Sequence, residues 1–184
     1  KDILRPILEL TVVFPGLLLA YFPVRSYLKQ SPPRLAARAV PLLLGFCLGG
    51  GLLCYRFSCP TALPLLLITL AVILLYFRTL RISLWKSVTI ALTVCAVFAC
   101  LNSLSRAIGT AITLRQQLPQ DEPWFCFAAC IFYNGLCWLF TAAAYYPATH
   151  AVRTMVEDDN FAQTWYVFWV LPLVFILLNL FMIP

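Results

Sequence analysis

The sequence predicts an all-α fold, a polytopic membrane helical bundle of about six transmembrane helices. The chain has 184 residues, of which 62% are hydrophobic and only 11% charged, whereas a soluble domain is about half apolar and about a quarter charged. Apolar runs close to the roughly 20 residues that a helix needs to cross a bilayer also recur along the whole chain. We therefore expect residues 1–184 to form a single transmembrane domain. Because the sequence lacks an initiator Met and stops at Pro184 just after a hydrophobic run, we also expect it to be a fragment of a longer protein.

Six segments are predicted to cross the membrane. They are Ile3–Phe22, Ala39–Tyr55, Thr61–Phe77, Ser87–Leu114, Trp124–Tyr146 and Thr164–Ile183. The second and third are short, and the fourth, at about 40 Å, is long enough to tilt or to project from the membrane. Pro147 and Pro172 are expected to kink their helices without ending them, because bilayer helices tolerate proline. The glycines 49–51 are predicted to allow close helix packing, with a ligand-facing role as the alternative.

The distribution of basic residues predicts the orientation, because cytoplasmic loops carry an excess of Lys and Arg. One side of the predicted topology carries four, namely Lys1, Arg5, Arg56 and Arg115, and the other carries Arg25, Lys29, Arg34, Arg38, Arg78, Arg81, Lys86 and Arg153. The second side is therefore predicted to be cytoplasmic, with the N-terminus outside the cell membrane. The net charge of +6 is explained by this topology rather than by nucleic acid binding, since no basic cluster is interleaved with aromatic residues on a polar surface.

Strongly polar side chains within the spans are candidates for ligand binding, because they are costly in a bilayer. Nearly all of them fall in the outer half, and the predicted ligand-binding set is Glu9, Asn102, Ser103, Arg106 and Asn134. Glu9 and Arg106 lie at similar predicted depths and are expected to form an ion pair. The alternative is that each side chain extends separately to the outer interface.

The polar segment between the last two spans is the predicted signal-relay hairpin. Its candidate residues are His150, Arg153, Glu157, Asp158 and Asp159. Arg153 and Glu157 are four residues apart and are expected to pair on one helical face. Asp158 and Asp159 are expected to cap the helix that follows. The alternative is that the segment only connects two helices.

The sequence carries no pattern typical of a catalytic, metal or cofactor site. It has one histidine, no H-E-x-x-H motif and no glycine-rich phosphate loop. None of the eight cysteines forms a C-x-x-C pair, and the three that share a helical face, Cys126, Cys130 and Cys137, are expected to act as small apolar residues. We therefore expect neither a cofactor nor a metal, and whether the chain belongs to an enzyme stays open at this point.

The whole chain, and most clearly PATHAVRTMVEDDNFAQTWYVFWVLPLVFILLNLF, resembles the membrane sensor region of Firmicutes sensor histidine kinases with a GHKL-type ATPase domain. These are similar to the peptide-pheromone receptors of quorum-sensing systems. The resemblance implies a receptor for an extracellular or membrane-borne signal such as a peptide, then one more span, a cytoplasmic kinase and a homodimer. His150 is followed by Ala-Val-Arg, whereas the family's phospho-acceptor histidine is followed by an acidic residue, so that role does not transfer.

Two other functions are compatible with the same residues. A small multi-pass transporter or channel subunit would use the polar groups as a substrate path. It would also need polar residues through the inner half, where the spans supply mainly threonines: Thr69, Thr89, Thr93 and Thr141. A membrane scaffold without a ligand is the third possibility.

Overall fold

The computed structural model describes residues 4–58, 60–116, 123–158 and 164–182, and this part of the chain is helical, without a β-strand. The helices are α1 Leu4–Thr11, α2 Val13–Tyr21, α3 Pro32–Phe57, α4 Ala62–Thr79, α5 Leu84–Gln116, α6 Pro123–Ala143, α7 Tyr145–Pro147, α8 Arg153–Glu157, α9 Trp165–Phe168 and α10 Val170–Met182. A π-helical turn, Ala148–Val152, joins α7 to α8, and a 3₁₀ turn, Arg25–Tyr27, follows α2. The predicted all-α fold is confirmed.

Five helical stretches in the described residues are long and apolar enough to cross a membrane. They are Leu4–Tyr21, Pro32–Phe57, Ala62–Thr79, Leu84–Ile112 and Cys126–Ala143, and a shorter apolar helix, Val170–Asn179, corresponds to the sixth predicted span. Large apolar side chains lie exposed on these helices, such as Leu53 on α3 and Leu67 on α4. Exposed apolar surface of this extent is typical of contact with lipid. The chain thus has the helices of a multi-pass membrane protein.

Prolines explain three interruptions in the helices. Proline has no backbone N–H, so the carbonyl four residues before it loses its intrahelical partner. In each case a helical segment ends four residues before a proline: at Thr11 before Pro15, at Ala143 before Pro147, and at Phe168 before Pro172. Helix resumes within two residues each time, so Pro147 and Pro172 interrupt their helices without ending them, as expected.

The helix formed by α1 and α2 lies at the centre of the bundle. It packs against α3, α4, α5 and α6. Residues of α1 and α2, or of the bend between them, belong to all three buried apolar clusters, and Leu10 is completely buried. In contrast, α9 and α10 pack mainly against α5.

Glycines bring α1 close to α3. A Cβ atom at Gly51 would overlap Cγ1 of Ile7 and lie 3.3 Å from the Ile7 backbone nitrogen. A Cβ at Gly50 would lie 3.1 Å from Cδ1 of Leu10. The predicted close packing is therefore confirmed for these two glycines. It does not hold for Gly49, where a Cβ would meet nothing within 4 Å.

The connections predicted to share one side of the membrane meet at one end of the bundle, which we call the basic end. The backbone N–H of Lys29 donates to the Thr79 carbonyl at 2.9 Å, and that of Arg81 donates to the Tyr27 carbonyl at 2.9 Å. These bonds join the α2–α3 connection to the α4–α5 connection. The Ser26 hydroxyl donates to Glu157 of α8 at 3.4 Å, which brings the third connection to the same end.

One boundary at the basic end differs from the prediction. We expected the second span to begin at Ala39, but α3 begins at Pro32. Ser31 as N-cap and proline in the first turn are a helix-start signal that outweighs the polar composition of this stretch. Arg34 and Arg38 therefore belong to the first two turns of α3 and not to a loop.

Candidate functional site

The five residues predicted to bind a ligand do not form one cluster. Glu9 is on α1, which packs against α3 and α6, whereas Asn102, Ser103 and Arg106 are on α5, which packs against α2, α6 and α10. Similar depth in the membrane does not bring two helices together, because contact also requires that their polar faces point at each other.

Glu9 and Arg106 are not partners in the structure, so that expectation is wrong. Oε1 of Glu9 accepts a hydrogen bond from Nε of Arg5 at 3.1 Å, and Sγ of Cys130 lies 3.5 Å from the same oxygen. Arg5 precedes Glu9 by one turn of the same helix and satisfies it locally. The Arg106 side chain is exposed and makes no ion pair within the described residues.

Asn134 and Ser103 join helices. The amide nitrogen of Asn134 donates to the Leu8 carbonyl at 2.8 Å, and its amide oxygen accepts from Thr11 at 3.1 Å, which ties α6 to α1. The Ser103 hydroxyl donates to the amide oxygen of Asn179 at 2.8 Å and ties α5 to α10. Hydrogen bonds of this kind hold membrane helices together, and we assign both residues to packing.

Asn102 is the member of the set that lines a cavity. The cavity has a volume of about 300 Å³ and lies between α2, α4 and α5. Its other polar side chains are engaged elsewhere: the hydroxyl of Tyr76 donates to the Ala20 carbonyl at 3.2 Å, and that of Tyr133 donates to the Phe98 carbonyl at 3.2 Å.

Two double-mutant cycles test whether Glu9 is paired with Arg5 and not with Arg106. Thermal unfolding in detergent should show that Glu9→Gln and Arg106→Gln are additive within about 0.3–0.5 kcal/mol, because the two side chains do not meet. Glu9→Gln and Arg5→Gln should deviate from additivity by about 0.5 kcal/mol or more, as interacting neighbours do. A larger coupling to Arg106 than to Arg5 would contradict the structure.

The relay residues lie on the helical extension of α6 at the basic end. Nδ1 of His150 lies 3.1 Å from the Tyr146 carbonyl, and its ring stacks on Tyr146 with centroids 4.4 Å apart. Arg153 and Glu157 pair at 2.7 Å, which confirms the prediction for them. Asp158 is the C-cap residue of α8 and lies seven positions before Trp165, where α9 starts with Thr164 as its N-cap, so it does not cap α9. Asp159 lies outside the described residues.

The pair on α8 predicts a pH dependence. The hydrogen bond from Arg153 lowers the pKa of Glu157 below its ordinary 4.5. The carboxylate therefore contributes stability to α8 at pH values above 4.5, and this contribution is lost as the pH falls through the lowered pKa. Amide hydrogen exchange at residues 153–157 should quicken below about pH 4.5 relative to Glu157→Gln, after correction for the intrinsic exchange rate. Equal pH profiles for the two proteins would contradict this role.

Lys86 and Trp165 complete the basic end; Lys86 was predicted to lie on this side, but neither residue was named among the candidate relay residues. Nζ of Lys86 donates to the Val156 carbonyl in α8 at 2.6 Å and lies 6.0 Å from the centroid of the Trp165 ring. The hydroxyl oxygen of Thr89 on α5 also lies 3.3 Å from the Trp165 carbonyl oxygen. Trp165 is only 5% exposed. One sequence signal could have indicated the contact of Lys86 with α8. It is a lysine at the start of a span, on the same side of the membrane as the acidic hairpin.

A second cavity, which we call the relay cavity, lies between these elements and has a volume of about 520 Å³. One part of its wall is the π-helical turn and α8, with Ala148, Val152 and Met155. Another part is formed by α9 and α10, including Trp165 and Pro172, and α5 also contributes to the lining. Its volume is within the range of small-molecule sites in proteins, and its lining is almost entirely apolar.

Comparison of the chain with models of known protein families, with curated proteins and with solved structures gave no match. Within the part that the structure describes, no group of three or more His, Cys, Asp and Glu side chains is arranged to hold a metal ion. The relay cavity and the segment beside it are thus the features from which a function can be argued.

Proposed function

We propose that the chain is the membrane-embedded sensing module of a sensor histidine kinase, which binds a signal and relays a conformational change to a cytoplasmic kinase. The relay cavity supports this proposal best. It is lined by the π-helical turn and α8, which we call the relay segment, and by α9 and α10. A ligand in the cavity touches both walls, so its affinity depends on how far apart they are. Such differential affinity is what allows a ligand to shift a conformational equilibrium.

Each wall of the relay cavity has a bend at which it can move. Pro147 interrupts the helix at the base of the relay segment, and Pro172 interrupts the helix formed by α9 and α10. Hydrogen bonds are missing from the helix at both places. The π-helical turn Ala148–Val152 lies immediately after the first bend, and π-helical turns are frequent at functional sites.

The lining of the cavity indicates an apolar signal. The hydroxyls of Thr89 and Thr93 are already used, since each donates to a backbone carbonyl of α5, at 2.9 Å and 2.7 Å respectively. Recognition then depends on shape and apolar contact. With the basic end in the cytoplasm and the N-terminus outside the cell membrane, a membrane-borne signal reaches the cavity more directly than an extracellular one. A hydrophobic peptide that partitions into the bilayer has this chemistry.

The alternative, a transporter or channel subunit, has less support in the described residues. The threonine hydroxyls that would line its path are bonded to carbonyls, including Thr69 to Leu65 at 2.7 Å and Thr141 to Pro15 at 3.4 Å. Hydroxyls used in this way have no proton left to donate to a polar substrate.

The test uses the complete reading frame that contains this chain, purified in lipid nanodiscs with radiolabelled ATP. We expect autophosphorylation, on a residue other than His150. Ala148→Phe, which fills the relay cavity, should change its rate about fivefold or more, a typical coupling between sites. Ala151 is exposed on the same π-helical turn, and Ala151→Phe should leave the rate unchanged. A reading frame without a kinase, or equal rates for both variants, would overturn the proposal.

A further inference from the structure

The first two turns of α3 carry two positive charges in positions that the helix does not favour. Arg34 and Arg38 lie one turn apart at the N-terminal end of this helix, which begins at Pro32. The helix macrodipole is positive at that end and disfavours cations. Two like charges four residues apart also repel each other. An anion beside them would relieve both effects.

The described part of the chain does not supply this anion. Both arginines are exposed, and neither forms an ion pair with a described residue. Of the three described acidic residues, Glu9 and Glu157 are paired with Arg5 and Arg153, and no ion pair joins Asp158 to Arg34 or Arg38.

The arginines line a hollow of about 500 Å³ at the basic end, together with Lys29, Gln30 and Ser31. Lys29 is held in place, because its Nζ donates to the Arg78 carbonyl at 2.8 Å. Ser31 is the N-cap residue of α3, but its side chain makes no capping hydrogen bond. Its hydroxyl can therefore donate to a ligand. The hollow combines three cations with donors suited to phosphate oxygens.

The same face of α3 continues as an apolar strip with no side chain at two positions, which we call the groove. Gly45 and Gly49 follow Arg38 by seven and eleven residues, which keeps them on one helical face and places Gly45 about 10 Å further along the helix. A Cβ at either glycine would meet nothing within 4 Å. Leu48 and Leu52 lie exposed beside them. The groove starts at the hollow and runs along the membrane-crossing part of the helix.

From these features we infer that the hollow binds the phosphate headgroup of an anionic phospholipid, with an acyl chain along Gly45 and Gly49. The charge of the hollow is complementary to the phosphate. The position at the end of a membrane-crossing helix is the level at which headgroups lie, and basic sites between membrane helices bind such headgroups. The groove offers a surface for the acyl chain of a lipid, and a free phosphate ion has no such chain.

The test measures which phospholipid the protein retains. The protein is reconstituted in nanodiscs of phosphatidylcholine containing one part in five of phosphatidylglycerol, extracted in mild detergent, and its bound lipid is quantified by mass spectrometry. We expect enrichment of phosphatidylglycerol, and Arg34→Gln with Arg38→Gln should reduce the enrichment about tenfold, equivalent to about 1.4 kcal/mol.

The matched control is Arg78→Gln with Arg81→Gln, which removes the same charge from the same end of the bundle. Arg78 lies in the last turn of α4, where a cation suits the helix dipole. This variant should keep the enrichment. An equal loss in both double variants would show that retention depends only on net charge, and would overturn the inference.

Two further measurements separate the lipid from other occupants. Millimolar inorganic phosphate should not displace phosphatidylglycerol, and displacement would show a site for free anions instead. Gly45→Leu should fill the groove and lower retention. If it left retention unchanged while dissociating a dimer of the protein, the face would belong to a second copy and the inference would fail.

Discussion

Gly51→Ala is expected to destabilise the protein by about 1–3 kcal/mol, the usual cost of inserting atoms into a packed core. A Cβ at this position would overlap Ile7 and lie 3.3 Å and 3.4 Å from its backbone nitrogen and Cα. A rotation of the Ile7 side chain moves Cγ1 but leaves the tight contacts with its backbone, so α1 must move away from α3. As α1 and α2 form the centre of the bundle, this movement disturbs packing beyond the contact itself. Thermal unfolding in detergent measures the loss.

The control is Gly45→Ala in the same helix, where a Cβ would meet nothing within 4 Å. In a helix interior alanine is favoured over glycine by about 1 kcal/mol, so this variant should be neutral or stabilising. Adding Ile7→Ala to Gly51→Ala should recover part of the loss, since it removes the Cγ1 atom that is overlapped. Equal effects of the two glycine variants, or no recovery, would mean that close packing of α1 on α3 does not limit stability.

The sequence was sufficient for the fold class and for most helix positions, because both depend on local quantities. Hydrophobic length marks the spans, proline marks the bends, and the i, i+4 spacing of Arg153 and Glu157 brings that pair together. The beginning of α3 was misplaced because Arg34 and Arg38 give its first turns a polar composition. The helix-start signals at Ser31 and Pro32 were present in the sequence, but the prediction gave more weight to the polar composition.

The candidate site was less accessible to sequence reasoning, because it depends on which helix faces which. Depth along a helix can be counted from the sequence, but the direction in which a side chain points cannot be known without the neighbouring helices. Glu9 thus received the wrong partner, although Arg5 stood one turn away in the same sequence. Nor could the relay cavity be foreseen, since the side chains that line it are almost entirely apolar and give no polar marker in the sequence.

Lys86→Met is expected to release the relay segment from α5. The ammonium donates to the Val156 carbonyl at 2.6 Å, near the C-terminal end of α8, where a cation also suits the helix dipole. Hydrogen bonds to charged groups contribute about 1.5–3 kcal/mol. Lys86 is half-buried and methionine preserves its apolar stem, so the loss should fall within that range and be confined to one region. Hydrogen exchange should quicken at residues 148–158 and little elsewhere.

Lys29→Met is the matched control, since the Lys29 ammonium also donates to a backbone carbonyl, that of Arg78 at 2.8 Å, but is exposed. Water can replace that bond, so the variant should cost less than Lys86→Met and leave exchange in the relay segment unchanged. On the proposed function, Lys86→Met in the complete reading frame should also weaken the dependence of autophosphorylation rate on the relay cavity. Ala148→Phe should then change the rate less than it does in the wild type, because a loosened wall no longer transmits the displacement. An undiminished effect of Ala148→Phe would show that the signal leaves the cavity through α9 and α10 alone.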